Sequence, residues 1–211
     1  MNPASGQPRE VTLNFIQRRR AMVREQIEKR GIRTPELLRA MQEVPRDVFV
    51  LPAYRSQAYE DCALPIDGAQ TISQPFVVAF MIEALQLSPA DRVLEIGTGS
   101  GYAAAIMSRL VTSVFTVERL EPLALSAQSI LSRLGLDNVT SKLDDGTLGW
   151  PEQAPFDAIS IAASGPAIPQ SLQNQLAIGG RLIMPVGQSS NSQKLIRVTR
   201  CSSSEFETED L

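Results

Sequence analysis

The chain has 211 residues, of which 43% are apolar and 20% are charged, and its formal net charge is -3. This length fits one α/β domain with a substantial core, and the slightly acidic balance argues against a nucleic-acid binder that uses a large basic surface. The sequence contains no histidine, which excludes Ser-His-Asp and Cys-His catalysis and makes a zinc site unexpected. Two cysteines, Cys62 and Cys201, favour a reducing cytoplasm over a disulfide scaffold, and no apolar run of about 18 residues predicts a membrane-spanning helix.

The first part of the chain is predicted to be helical after a disordered leader over residues 1–12, which is polar and contains Pro3, Gly6 and Pro8. The expected elements are, in order, a helix over 14–30 that stops at Gly31, a helix that begins at Thr34-Pro35 and ends before Pro45, an irregular stretch over 48–59, an ordered loop over 64–75 and a helix over 75–85. The loop is expected because the segment has too many breakers, among them Pro65, Gly68 and Pro75, for a regular element.

The second part alternates between strands and helices. Strands are predicted over 92–96, 113–118, 139–143, 156–162, 181–186 and 194–200, with helices over 102–111, 120–134 and 169–177 and a turn at Gly179-Gly180. Such alternation predicts an α/β fold with a doubly wound, mostly parallel sheet. We therefore expect one domain over 13–211, helical over about 13–90, with an α/β core over about 91–200.

A glycine-rich loop, Glu95-Ile-Gly97-Thr-Gly99-Ser-Gly101, lies between the first predicted strand and the next helix. Glycines there let the backbone turn sharply and let a ligand approach closely. The spacing is G-x-G-x-G and not the G-x-G-x-x-G of dinucleotide sites, so a pyrophosphate is not implied.

Two acidic residues follow the next two strands. Glu118 ends the second strand, where a carboxylate can accept hydrogen bonds from both hydroxyls of a ribose, and Asp145-Gly146 ends the third, where an adenine edge could be read. Taken alone, the glycines could be only a tight turn, Glu118 only a solvated strand end and Asp144-Asp145 only a β-turn. Together they converge on one crevice at the carboxyl edge of the sheet, and a ribose and an adenine without pyrophosphate indicate S-adenosylmethionine.

The chain resembles the protein-L-isoaspartate (D-aspartate) O-methyltransferase family over most of its length, from about residue 22 to residue 200. The resemblance is carried by Val44-Pro45-Arg46, Phe49-Val50, Ala58-Tyr59-Glu60-Asp61, Leu64-Pro65-Ile66, Gln70-Thr71-Ile72-Ser73-Gln74-Pro75, the strand and glycine loop from Arg92 to Tyr102, Asp145-Gly146, residues 154–159 and Gly179-Gly180-Arg181-Leu182. Many methyltransferases share the glycine loop, whereas the Gln-Thr-Ile-Ser-Gln-Pro segment is much more specific to this family.

The resemblance implies a Rossmann-like fold of the S-adenosylmethionine-dependent methyltransferase type and roles for individual residues. Ser73 matches the active-site serine that holds the substrate carboxylate, and Thr71 shares its loop over the active site. The implied cofactor-binding set is Thr71, Ser73, Glu95, Gly97, Thr98, Gly99, Gly101, Glu118, Arg119, Asp145 and Gly146. Both Ser73 and Thr71 have a purely local alternative, since serine and threonine also favour helix caps and turns.

The sequence departs from the family pattern in three places. Asp67-Gly68-Ala69 stands where the family often has glycine on either side of a variable residue, which adds a negative charge near a site for a carboxylate. Residues 162–167, Ala-Ala-Ser-Gly-Pro-Ala, lack an acid that usually precedes Ile-Pro. The family's final strand, of the Val-Arg-Phe-Val-Pro-Leu kind, has no match before Leu211, so either the chain is cut short or the sheet edge is altered.

The implied reaction is methylation of the α-carboxylate of L-isoaspartyl residues in damaged proteins and peptides, followed by closure of the ester to a succinimide. The expected partners are such proteins and peptides, with no nucleic acid and no membrane, and a monomer is favoured. A carboxylate with a pKa of about 4 is ionised at neutral pH, so the reaction needs no general base and is compatible with the absence of histidine. Two other hypotheses remain open: a methyltransferase of the same fold with another carboxylate or small-molecule acceptor, and a non-catalytic binding module.

Overall fold

The structure, a computed structural model, describes residues 7–187 and 193–211, with side chains from residue 14 onward. Its helices are α1 (Gln7–Met22), α2 (Pro35–Glu43), α3 (Pro75–Leu85), α4 (Tyr102–Met107), α5 (Glu121–Arg133) and α6 (Gln170–Gln173). Its strands are β1 (Leu64–Pro65), β2 (Thr71–Ile72), β3 (Arg92–Ile96), β4 (Ser113–Glu118), β5 (Val139–Leu143), β6 (Phe156–Ile161), β7 (Leu176–Val186), β8 (Lys194–Arg200) and β9 (Phe206–Asp210).

The first helix begins earlier than the sequence predicts. Residues 1–6 of the expected leader lie outside the described residues, whereas the chain is helical from Gln7. The helix continues through one π-helical turn, Val23–Ile27, and a short 3₁₀ turn that ends at Gly31, whose φ of 107° is in the left-handed region that glycine adopts readily. The predicted end at Gly31 is therefore confirmed, and the helix begins at Gln7, within the stretch predicted to be a disordered leader.

One seven-stranded sheet forms the centre of the molecule, in the order β5-β4-β3-β6-β7-β8-β9. The strands from β5 to β7 are parallel, and β8 and β9 run antiparallel to their neighbours. β3 and β4 are buried along almost their whole length, as expected for strands covered by helices on both faces. The predicted doubly wound, mostly parallel α/β fold is confirmed.

The C-terminal half departs from the predicted elements at three points. The helix predicted over 169–177 is limited to α6, because Leu176 already pairs with Phe156 in β7. The glycine pair at 179–180 is a bulge within β7 and not a turn before it: the register shifts there, and a Cβ on Gly180 would lie 2.9 Å from the carbonyl oxygen of Ala177. β9 is a strand that the sequence analysis did not predict, and it forms the edge of the sheet beside β8.

Apolar side chains bury the two faces of the sheet in two clusters. The larger one joins the N-terminal helices and α3 to β3 and α4, and the smaller one lies between β3, β4, β6 and β7 on the opposite face. Within residues 7–187 and 193–211, none of the helices has the length and apolar character needed to cross a membrane. The sheet is thus fixed from both sides, and its carboxyl edge is left to form a site.

Candidate functional site

The carboxyl ends of the central strands border one crevice. The strand order reverses between β3 and β6, and open α/β sheets bind ligands at such a point. A cavity of about 500 Å³ opens there. Most of the residues predicted to bind a cofactor line it, namely Thr71, Ser73, Gly97, Gly99, Glu118, Arg119, Asp145 and Gly146.

The glycine loop forms the floor of this cavity. Gly97 and Gly99 have φ values of 90° and 53°, a region in which a side chain is strained. The N–H of Gly97 donates to the carbonyl oxygen of Val117 at 2.9 Å, which fastens the loop to β4. Gly101 instead faces the helix behind the loop, where an added Cβ would lie 3.2 Å from that of Ala127. Gly101 therefore shapes the loop and does not line the cavity.

Glu118 is the buried carboxylate of the crevice, with 6% of the residue exposed. One oxygen accepts the N–H of Gly99 at 2.9 Å, and the other accepts the N–H groups of Arg119 and Leu120 at 2.9 and 3.0 Å. A carboxylate has about four lone-pair sites, so these bonds fix its orientation and leave acceptor capacity for a ligand hydroxyl. The predicted position of Glu118 at the tip of its strand is confirmed.

Asp145 lies on the next strand end, with its side chain turned to its own backbone. Its carboxylate accepts the N–H and the hydroxyl of Thr147 at 2.9 and 2.8 Å, and these hydrogen bonds lower the pKa of Asp145 below its ordinary value. At Gly146 an added Cβ would lie 2.5 Å from Cγ2 of Ile96. Only glycine thus allows the chain to approach the end of β3, where it lines the cavity.

The segment predicted as an ordered loop is a short antiparallel hairpin, in which Leu64 pairs with Ile72 and Pro65 with Thr71. A strand pair forms despite the breakers because the turn residues are confined to the tip, where Gly68 and Ala69 have φ values of 66° and 54°. The hairpin brings Thr71 and Ser73 to the cavity.

The geometry of the hairpin does not support a helix-capping role for Ser73. It also does not place Asp67 in the cavity. The N-cap position of α3 is held by Gln74, and no side chain caps that helix end. Asp67 is exposed at the tip and is absent from the cavity wall. Its charge is therefore screened by solvent and is not directed at the crevice.

Two residues predicted to bind the cofactor lie beneath the loop and not on the cavity wall. Glu95 is 1% exposed and Thr98 is 5% exposed. The hydroxyl of Thr116 donates to Glu95 at 2.6 Å, and the hydroxyls of Thr98 and Thr116 are 2.5 Å apart. The pKa of Glu95 is raised to about 8, mainly by burial; the hydrogen bond from Thr116 opposes this shift, and the neighbouring Glu118 contributes to it.

Known proteins are similar to this chain over most of its length. The family profile of protein-L-isoaspartate(D-aspartate) O-methyltransferase matches residues 17–211. The chain is 57% identical over 194 residues to protein-L-isoaspartate O-methyltransferase 2 of Pelobacter propionicus, covering 92% of this chain and 86% of that protein. It is 54% identical over 198 residues to protein-L-isoaspartate O-methyltransferase 1 of Geotalea uraniireducens, covering 94% and 90%.

The chain belongs to the protein-L-isoaspartate(D-aspartate) O-methyltransferase family. A solved protein-L-isoaspartate O-methyltransferase superposes with a TM-score of 0.78 at 34% identity, covering 86% of this chain and 60% of that chain. A Plasmodium falciparum chain of the same description, solved with S-adenosyl-L-homocysteine, has a TM-score of 0.79 at 24% identity over 92% of this chain and 94% of that one. The superposition on the Plasmodium falciparum chain shows that the two proteins share a fold.

In this family member a second group of residues, not predicted from the sequence, also lines the cavity. They are Gln70, Ile96, Val117, Leu120, Leu123, Thr147, Ala162, Ala163 and Ser164. Most of them are neighbours of predicted residues or follow β6 at the same edge of the sheet, so the rule that ligands bind at the carboxyl ends of strands could have found them. Leu123 is different, because only the packing of α5 against the hairpin brings it to the wall.

The family segment before the hairpin is anchored by charged residues. Arg46 is fully buried, and its Nε donates to the carbonyl oxygen of Ala58 at 2.8 Å. Asp61 forms an ion pair with Arg30 at 3.1 Å, and its carbonyl oxygen accepts from the side chain of Gln74 at 3.1 Å. The residues on either side of the hairpin are thus bonded to each other, and Asp61 links them to the helical N-terminal part.

Proposed function

We propose that this chain transfers the methyl group of S-adenosylmethionine to the α-carboxylate of L-isoaspartyl residues in damaged proteins and peptides. The observation that carries the proposal is the meeting of two different sets of groups in one cavity: the glycine loop with Glu118, and the hairpin with Ser73. The first set suits a nucleoside without pyrophosphate, and the second presents a hydroxyl where an acceptor carboxylate would lie. The names of the relatives support the same activity.

The residues of the crevice fit the cofactor. Gly97 and Gly99 have no side chains to fill the cavity, and the buried carboxylate of Glu118 keeps acceptor capacity for the hydroxyls of a ribose. We assign Asp145-Gly146 to the adenine side and Arg119 to the rim beside it. When bound, S-adenosylmethionine supplies a methyl group already activated by the positive charge of the sulfonium.

The residues on the acceptor side have a limited task, because the attacking carboxylate is ionised at neutral pH and needs no general base. Ser73 donates a hydrogen bond to this carboxylate and is not a nucleophile, since the sequence has no histidine to activate it. The hairpin excludes water and holds the acceptor in line with the methyl group. Such alignment supplies much of the rate enhancement in reactions that need little proton transfer.

The experiment that tests this proposal is transfer of labelled methyl from S-adenosylmethionine to two peptides that differ only in having isoaspartate or ordinary aspartate. We expect base-labile label on the isoaspartyl peptide alone, since a methyl ester hydrolyses readily. Labelling of neither peptide, by protein shown to bind the cofactor, would favour another carboxylate or small-molecule acceptor. Equal labelling of both would contradict selectivity for damaged residues.

The proposal also covers the substrates, the cellular compartment and the oligomeric state of the enzyme. Its substrates are proteins and peptides with isoaspartyl residues, and the acidic net charge of -3 gives no support for a nucleic-acid partner. Both cysteines are exposed free thiols, which is consistent with a reducing cytoplasm. We assign the active species as a monomer with one domain over residues 13–211, and sedimentation at the concentration used for assay tests that assignment.

A further inference from the structure

Three polar side chains form a buried chain directly under the glycine loop. They come from β3, β4 and the loop itself: Glu95 is 1% exposed, Thr116 is 0% exposed and Thr98 is 5% exposed. The hydroxyl of Thr116 donates to the carboxyl group of Glu95. Because a hydroxyl has a single proton, Thr98 donates to Thr116, across the 2.5 Å between their oxygens, when Thr116 donates to Glu95.

This Glu95–Thr116–Thr98 chain acts on the site without touching it. Thr98 stands between Gly97 and Gly99, both of which line the cavity, whereas none of the three polar side chains is part of the wall. On the cavity side, the carboxylate of Glu118 holds the N–H of Gly99 at 2.9 Å. The loop is thus held by hydrogen bonds from two directions, one from the crevice and one from the interior of the sheet.

Burial of the carboxyl group of Glu95 costs free energy, which suggests that the group has a role in the site. Its neighbours in β3, Val93, Leu94 and Ile96, are buried apolar residues, and an apolar side chain at 95 would avoid burial of a carboxyl group. Burial raises the pKa of Glu95 to about 8, so the group is neutral at neutral pH, and Glu118 is the charged group that acts on it. The neutral form removes most of the penalty and keeps the hydrogen bond.

We propose that Glu95 and Thr116 are positioning residues that set the glycine loop for the cofactor through the hydroxyl of Thr98. The proposal rests on the proposed cofactor role of the loop and changes the assignment of Glu95 and Thr98 from cofactor contacts to groups that act through the backbone. A merely structural role would lower stability without a selective effect on cofactor affinity.

The test uses isosteric removal of single hydroxyl groups in the full chain, with S-adenosylhomocysteine binding measured by calorimetry. In Thr116→Val and in Thr98→Val we expect the dissociation constant to rise about fivefold, the equivalent of one hydrogen bond. Thr116→Ser keeps the hydroxyl and should restore binding. Thr112→Val is the matched control, because the hydroxyl of Thr112 donates to the carbonyl oxygen of Pro89 at 2.9 Å and has no link to the loop.

Two further readouts separate positioning from general destabilisation. Because the chain works as a unit, the double variant Thr98→Val/Thr116→Val should bind no more weakly than either single variant. The KM for an isoaspartyl peptide at saturating S-adenosylmethionine should be unchanged. Thermal melting shows whether each variant is folded, and Thr98→Val carries the test if Thr116→Val does not fold.

Unchanged affinity in folded Thr98→Val, or failure of Thr116→Ser to restore affinity, would overturn the inference and leave the proposed function intact. Absence of S-adenosylhomocysteine binding by the wild-type protein would overturn the proposed function and this inference together.

Discussion

At the scale of single residues, Glu118 and Ser73 face the same cavity and are expected to fail in different ways. Glu118→Ala removes a buried carboxylate and the bonds that it accepts from the glycine loop, so S-adenosylhomocysteine affinity should fall about hundredfold. Ser73→Ala removes only a donor to the acceptor carboxylate, so kcat should fall about tenfold with cofactor affinity nearly unchanged. Calorimetry with S-adenosylhomocysteine and turnover of an isoaspartyl peptide measure the two effects. An equal loss of cofactor affinity in both variants would contradict this division of roles.

Glu95 gives the stability of the protein a dependence on pH. Its pKa is 4.5 in ordinary surroundings and about 8 in the folded protein because of burial. As pH rises between these two values, the unfolded chain loses this proton and the folded protein keeps it, so the free energy of unfolding falls across the window. In Glu95→Gln this contribution is absent, and the variant should gain stability relative to the wild type from pH 4.5 to about 8.

Urea unfolding over a pH series measures this difference. Glu152→Gln, at an exposed position, serves as the control, and its curve should run parallel to that of the wild type. If Glu95→Gln also ran parallel, the carboxyl group would not be held neutral in the folded state.

At the scale of elements, the hairpin and α5 determine the shape of the cavity roof. Gly68 has φ 66°, and an added Cβ would lie 2.9 Å from Cδ1 of Leu120, which lines the cavity. Gly135 has φ 65° with no atom within 4 Å of an added Cβ. Alanine at either position costs about 1–2 kcal/mol of backbone strain, but only Gly68→Ala also crowds the side chain of Leu120 at the cavity wall.

We therefore expect similar losses in melting temperature for Gly68→Ala and Gly135→Ala, with weaker S-adenosylhomocysteine binding in Gly68→Ala alone. Melting curves measure the loss of stability in the two variants, and calorimetry measures their affinity for S-adenosylhomocysteine. A matching loss of affinity in Gly135→Ala would show that the hairpin contact with Leu120 does not shape the site.

The elements that the sequence could predict are those with a strong local signal. β3 and β4 are short, mostly apolar runs bounded by turns, and Pro35 and Pro75 mark the starts of α2 and α3. The elements that it missed depend on distant contacts. β9 exists through pairing with β8, and the bulge in β7 follows from the carbonyl groups of β6 that crowd Gly180.

The same distinction applies to the site. Gly97, Gly99, Glu118 and Gly146 could be placed from the sequence because the carboxyl ends of parallel strands converge. Glu95 and Thr98 were assigned to the cavity because they share a motif with the glycines, and the sequence does not reveal which side of the strand and loop they occupy. Leu123 reaches the wall through the packing of α5 against the hairpin, which no local pattern indicates.

At the scale of the whole molecule, the apolar clusters on both faces of the sheet leave the carboxyl edge as the place where ligand binding and folding are linked. A ligand that binds only the folded state stabilises it by mass action. At about 100 times its dissociation constant, S-adenosylhomocysteine should add about 2.7 kcal/mol and raise the melting temperature by about 5–10 °C for a protein of this size.

Glu118→Ala at the same ligand concentration should lose most of this shift, because a hundredfold weaker site is only half occupied and adds about 0.4 kcal/mol. Ser73→Ala should keep the shift of the wild type, since its hydroxyl serves the acceptor and not the nucleoside. Differential scanning calorimetry with and without ligand compares the three proteins without any reliance on turnover. A full shift in Glu118→Ala would mean that the cofactor is held mainly by the glycine loop backbone, and the buried carboxylate would then serve the loop alone.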